Sequence, residues 1–399
     1  MKKTGKNPMN NICVLPFNSV SIPATGELRP CCSATESSYH VKIDNISVDE
    51  IINNKNGQAL RSSFLKGKKP STCNRCWEIE DIGNRSFRHT SNDDLYYGLK
   101  SAIPIKLEKT VGFEDIQYLD ITLGNKCNLA CRMCNATSSS LLAKQFIEFK
   151  MYKGPELMDF SRETKDKILN LIHKSINLNT IYMLGGEPLI NEFHDEIMEL
   201  LIQKNRAKDI KIRYSTNLQV DVEKYIEMWS KFKFVDLNVS IDGSGSTYEY
   251  IRWPGKWEKI YRNLKKACEV SQGTNFMPVI AVTSQNLNAH NLYDLIKSVS
   301  EFTDLFYFIP VTGGNYLELS PKHILTSEIA RLETLPDYYG RIKELIQHYN
   351  NSLDKNISKS QIKEFFAAQE RFDKYRKQNL FATHPHFVEL AEQFKIQTW

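Results

Sequence analysis

The chain has 399 residues, 41% of them hydrophobic, 11% aromatic and 25% charged, enough for one large core and a smaller one. That balance excludes disorder, a collagen-like repeat and a disulfide-stapled mini-protein. Lys and Arg number 52 against 47 Asp and Glu, a formal charge of +5 over the whole length, too mild to argue for a nucleic-acid partner.

The opening MKKTGKNPMNN carries lysines with no apolar stretch behind them, and no run of about 18 apolar residues follows anywhere. Neither a signal peptide nor a membrane span is expected, and the expected location is the cytoplasm. Nine cysteines in such a chain read as metal ligands or catalytic thiols before disulfides. Eight of them, at 13, 31, 32, 73, 76, 127, 131 and 134, fall in the first 134 residues.

Residues 1–110 read as a small separate domain, with a strand-like piece at Val14–Ile22, a turn at Thr25-Gly26, a helix near Gly57–Leu65 and a closing Cys73-Asn-Arg-Cys76. Residues 111–318 hold short apolar runs alternating with amphipathic stretches, the pattern of β-α units around a parallel sheet. Six strands are expected, at Tyr118–Leu123, Thr180–Leu184, Ile210–Ser215, Val235–Ile241, Phe276–Val282 and Leu305–Pro310. Between them Leu142, Phe146 and Phe149 recur at helical spacing, as do Phe193, Ile197, Leu200 and Leu201. Ile260, Leu264 and Cys268 do the same, which makes Cys268 a core residue. Residues 319–399 are polar and helix-rich, with helices expected near Asp337–Tyr349 and Ser360–Lys377; they show no chemical motif and read as a packing appendage or a cover.

Cys127, Cys131 and Cys134 lie in LGNKCNLACRMCNATSSS, directly after the first expected strand of the β-α region. Three thiols leave an open position on a metal centre, and on a cubane iron-sulfur cluster that position would take an exogenous chelate. Structural zinc sites take four protein ligands, and this loop offers three. CNLACRMC resembles the CxxxCxxC signature of the radical S-adenosylmethionine (radical SAM) superfamily. Met133 departs from the aromatic residue usual beside the last cysteine, but it can still pack over a cofactor face.

That resemblance implies a partial (β/α)6 barrel in an α/β fold, a 4Fe-4S cluster on Cys127, Cys131 and Cys134, and SAM bound at the strand ends. The segment LGGEP, with Gly185, Gly186, Glu187 and Pro188, is similar to the superfamily's GGEP, which holds the amino group of SAM. Two glycines let backbone approach a ligand, and Glu187 offers an acceptor. Likewise, Thr216, Asn217, Ser240 and Asp242 stand at the next strand ends, with Arg252 shortly after as a partner for the SAM carboxylate and Val311 for its adenine.

Twelve residues separate Cys13 from Gly26 and four more separate Gly26 from Cys31, ahead of Cys73 and Cys76. This resembles part of the SPASM and twitch domains, which carry auxiliary iron-sulfur clusters. In most relatives such a domain follows the barrel, and here it precedes it and lacks the further C-x5-C-x3-C part. One auxiliary 4Fe-4S cluster is expected on Cys13, Cys31, Cys73 and Cys76, with Cys32 the alternative to Cys31, and a four-cysteine zinc site the alternative to a cluster.

The resemblance implies reductive cleavage of SAM to a 5'-deoxyadenosyl radical that takes hydrogen from a substrate. A peptide or protein that is oxidised or cross-linked is expected first, and a small molecule second. A reductant such as flavodoxin or ferredoxin is the expected partner; an RNA-modifying enzyme and a zinc-stabilised binding protein are the competing classes. His384 and His386 read as a surface turn, and Lys66, Lys68 and Lys69 as a solvated basic loop.

Overall fold

The computed structural model describes residues 11–34, 39–81, 85–311, 317, 322–353 and 358–399. The N-terminal lysines and the boundary expected at 318/319 lie outside them. Seven strands form one sheet in chain order: β1 (Ser19–Ile22), β2 (Tyr118–Thr122), β3 (Thr180–Leu184), β4 (Lys211–Thr216), β5 (Phe234–Ser240), β6 (Phe276–Ser284) and β7 (Phe306–Pro310). The described registers are parallel, and helices separate the strands from β2 onward, as in a partial β/α barrel.

Six of these strands match expectation within a residue or two. β1 falls within the strand-like piece expected at Val14–Ile22, and its place in this sheet is the new finding: Ser19–Ile22 pairs with Tyr118–Ile121 of β2, so the N-terminal module supplies an edge strand and the three-cysteine loop follows the sheet's second strand. The expected strand from Val14 is shorter because Leu15–Asn18, with proline in its first turn, forms a helical turn.

Side chains capping the helices explain why they start where they do. Ser139 accepts from Leu142 N at the head of Ser140–Glu148, Ser161 from Thr164 N at Arg162–Lys174, and Asn191 from Phe193 N at Glu192–Gln203. No helix among the described residues is long and apolar enough to cross a membrane.

The chain divides into two compact units. One holds residues 1–127, 136–215 and 226–236; the other holds 128–135, 216–225 and 237–399. In the first unit one sheet face is a dry core of Leu119, Ile121, Ile181, Met183, Ile212 and Tyr214. The opposite face is polar, since Ser21, Asp120, Tyr182 and Arg213 stand side by side in register across β1 to β4. The strands were expected to be apolar throughout; instead they alternate, with period two.

In the second unit the tail belongs to the core. Ile362, Phe365 and Phe366 of helix Lys359–Arg376 pack with Tyr250, Ile251, Leu287 and Phe387, and Met133 and Val311 lie against the same cluster. His384 is buried rather than on a surface turn, donating from Nε2 to the Leu287 backbone oxygen at 2.8 Å and standing edge-on to His290 at 5.0 Å. The apolar neighbours Leu380 and Phe387 bring the segment inward. Cys268 is buried in Trp257–Ser271, and its thiol is pushed up to about 12 by burial.

Candidate functional site

In the first unit the start of the cysteine loop and the GGEP segment are stitched together. Gly186 N donates to Gly124 O at 3.1 Å and Glu187 N to Lys126 O at 2.9 Å, while Cys127 N donates to Ser140 Oγ at 3.2 Å. Only glycine fits here: a Cβ on Gly186 would stand 2.1 Å from the Lys126 carbonyl oxygen, and Gly185 has φ of +135°. Glu187 is 1% exposed, and its Oε1 accepts from Leu189 N at 3.1 Å, capping the turn Pro188–Ile190.

Cys13, Cys31, Cys73 and Cys76 line one small pocket in this unit, together with Leu15, Ser33, Ala34, Phe87 and Arg88. Burial raises the thiols of Cys13 and Cys31, and brings Cys73 to about 12; each is raised further by thiols of the same set. Such a pocket disfavours bare thiolates and suits a cationic metal centre that neutralises them. Among the described residues no three His, Cys, Asp or Glu side chains gather as one metal ion requires. Four thiols around one pocket are a donor set that suits an iron-sulfur cluster.

Cys32 turns elsewhere. It is exposed and interacts with Asp120, whose buried carboxyl is pushed up to about 6 mainly by burial, despite the Cys32 and Ser21 hydrogen bonds that lower it. Nearby, Arg213 Nε pairs with Asp236 at 3.1 Å and Tyr182 Oη lies 2.6 Å from Ser215 Oγ. Sequence reading missed this polar row, although the alternation in YLDIT and KIRYST carries its signal.

In the second unit Cys131 and Cys134 are close enough to sense each other: burial comes first, then the Cys131 charge, in raising Cys134 to about 12. Burial also raises Cys131, against the Arg252 guanidinium, whose Nη1 lies 3.7 Å from its sulfur. Arg252 is held by Asp242, Nη2 to Oδ2 2.7 Å, and Asp242 Oδ1 also accepts from Thr283 N at 2.7 Å. Thr216 Oγ1 accepts from Leu218 N at 3.0 Å, and Asn217 donates to Asn128 Oδ1 at 2.8 Å, so both shape the turn after β4. Ser240 ends β5 half-buried, and Val311 packs on the tail cluster. Within this unit Cys131 and Cys134 thus present two buried thiols on one short loop beside an arginine.

Comparison with known proteins agrees with this chemistry. Residues 121–290 match the model of the radical SAM superfamily, and residues 13–77 match SPASM, an iron-sulfur cluster-binding domain. A probable GTP 3',8-cyclase of Methanocaldococcus jannaschii is 25% identical over 211 residues, 52% of this chain and 65% of that protein. The GTP 3',8-cyclase of Clostridium perfringens is 27% identical over 229 residues, 55% of this chain and 62% of that protein. The chain thus spans less than two thirds of the length of these curated relatives. Among solved structures, anSMEcpe with bound AdoMet aligns with TM-score 0.39 at 20% identity, covering 53% of this chain and 58% of that one. SuiB of Streptococcus suis bound to S-adenosylmethionine aligns with TM-score 0.33 at 18% identity, covering 60% and 48%. Residues 121–290 thus carry a radical SAM domain and residues 13–77 a SPASM-type iron-sulfur cluster-binding domain, which support S-adenosylmethionine and a 4Fe-4S cluster as cofactors of the first and an auxiliary cluster in the second.

Proposed function

We propose that the enzyme oxidises or cross-links a peptide or protein by radical chemistry. The observation that carries this reading is the four-thiol pocket of the N-terminal module: every site is filled by cysteine, which suits electron transfer or a structural role and not direct ligation of substrate. The resemblance to SPASM and twitch domains supports the same reading, since relatives with such modules commonly modify ribosomally made peptides or proteins, and some act on small molecules. Cys127, Cys131 and Cys134 would hold the cluster that SAM completes, and Cys13, Cys31, Cys73 and Cys76 the auxiliary cluster. When bound there, the cluster with SAM would supply radical hydrogen-atom abstraction from the substrate.

The chain's own residues bind and orient. Gly185 and Gly186 keep backbone low beside the loop, Glu187 and Pro188 fix the turn, and Thr216, Asn217, Ser240 and Val311 complete the SAM contacts. Asp242 holds Arg252, so that the guanidinium meets a carboxylate in a fixed orientation. The polar row of Ser21, Asp120, Tyr182 and Arg213 offers hydrogen bonds to a polar substrate. Domain limits of 1–110, 111–318 and 319–399, a cytoplasmic location and a flavodoxin- or ferredoxin-type reductant belong to the same proposal.

A second reading, a small polar molecule as substrate, is favoured by the curated relatives named GTP 3',8-cyclase. One assay separates the two. Release of 5'-deoxyadenosine from SAM under anaerobic reduction is measured alone, with GTP and with peptide libraries, for the wild type and for the variant with Cys127, Cys131 and Cys134 all changed to Ala. Stimulation by peptide, absent in the variant, is expected. Stimulation by GTP alone with a new nucleotide product selects the second reading, and equal release from the variant sinks the radical assignment.

A further inference from the structure

Arg132 sits between two of the loop thiols, in Cys131-Arg132-Met133-Cys134, and its side chain is fully buried. Four donations hold its guanidinium. Nε donates to the Tyr250 backbone oxygen at 2.9 Å, Nη1 to Gln369 Oε1 at 2.6 Å, and Nη2 to Asp373 Oδ1 at 2.6 Å and Gln378 Oε1 at 2.9 Å. The plane lies over the Tyr250 ring at 3.6 Å. Three of those acceptors come from helix Lys359–Arg376 and the residues just after it, 237 to 246 positions along the chain.

Asp373 is itself fixed, as its Oδ2 accepts from Leu380 N at 2.6 Å and from Trp399 Nε1 at 3.0 Å. On the loop side, Ala130 N donates to Trp253 O at 2.6 Å and Arg132 N to Ile251 O at 2.9 Å. The segment Tyr250–Trp253 therefore holds the loop backbone and Arg132 Nε, while the C-terminal region holds the two ends of the guanidinium.

Holding the tail in place does not require this arrangement. The tail already buries Ile362, Phe365, Phe366 and Phe387 in an apolar cluster, and apolar residues in place of a buried ion pair usually serve stability as well or better. A planar guanidinium with fixed acceptors adds direction, and directional contacts next to ligands are how a protein orients a metal site. We propose that Asp373, assisted by Gln369 and Gln378, is a positioning residue for the radical SAM cluster, acting through Arg132 on the segment that carries Cys131 and Cys134. The C-terminal region is then part of the cluster site. This inference rests on the reading that Cys127, Cys131 and Cys134 hold that cluster.

The test uses full-length protein reconstituted anaerobically with iron and sulfide, with iron content, far-UV circular dichroism and the EPR spectrum of the dithionite-reduced protein recorded with and without SAM. Wild type should hold about eight irons and show a SAM-dependent change, and the triple cysteine variant about four irons and none, as two 4Fe-4S clusters require. Asp373→Asn should keep its circular dichroism and the auxiliary cluster's irons and lose the SAM-dependent change. If that variant does not fold, Arg132→Gln with Asp373→Asn, which removes both charges of the pair, replaces it with the same expectation. A folded variant with the wild-type SAM response overturns the proposal, as does loss of both clusters or failure of both variants to fold. A triple cysteine variant that keeps the SAM response overturns the underlying thiol assignment instead.

Discussion

Asp120 shows what a single buried carboxyl does to this molecule. Unfolded, it ionises near 3.8; folded, burial raises it to about 6. Between those values the folded state keeps a proton that the unfolded state has released, so stability falls as pH rises from about 4 to about 6 and this contribution is flat above. Asp120→Asn removes that slope and is more stable at pH 7, by at most about 3 kcal/mol for a shift of this size. Denaturant melts of both proteins from about pH 4 to about pH 7 check this, and equal slopes count against it. The neighbouring thiols separate just as sharply. Cys31→Ser should lose the auxiliary cluster, about four irons, whereas Cys32→Ser should keep it, because Cys32 turns to Asp120 and Cys31 to the pocket. Iron content after reconstitution decides, and loss from Cys32→Ser with retention in Cys31→Ser reverses the choice. Sequence spacing made the seven thiols visible because a cluster imposes its own geometry on the chain. It was silent on Arg132 and Asp373, since nothing local links residues so distant in the chain.

Strands β2 to β7 were legible because short apolar runs between capped amphipathic helices leave few alternatives. β1 was legible as a strand-like piece within Val14–Ile22 but not as part of this sheet, because its partner lies about a hundred residues on. The polar face was overlooked for a related reason: runs such as YLDIT are apolar enough to read as buried on both sides, although every second residue faces away from the dry core. At the GGEP turn the requirement is steric. Gly186→Ala places a Cβ 2.1 Å from the Lys126 carbonyl oxygen, so the turn and the cysteine loop must move apart. Equilibrium dialysis of SAM into the reconstituted variant should show at least about tenfold weaker binding, equivalent to about 1.4 kcal/mol. Unchanged binding would mean that this close approach is irrelevant to SAM.

At the scale of the whole molecule, the tail that carries no motif proves to share the core of the second unit and to neutralise Arg132 of the three-cysteine loop. Asp373→Ala leaves that guanidinium buried and unpaired, and should cost about 3–5 kcal/mol, read from the denaturation midpoint. A change below about 1 kcal/mol would show the pair to be dispensable to the fold. The composition could exclude classes of protein, and the cysteine spacing could suggest a chemistry, but the tail's place had to come from packing. The account stands or falls on two clusters held by two sets of thiols. Iron and zinc per chain after anaerobic reconstitution, in the wild type and in the variant with Cys127, Cys131 and Cys134 changed to Ala, measure that directly. About eight irons falling to about four is the predicted result; zinc without iron in both proteins would contradict it.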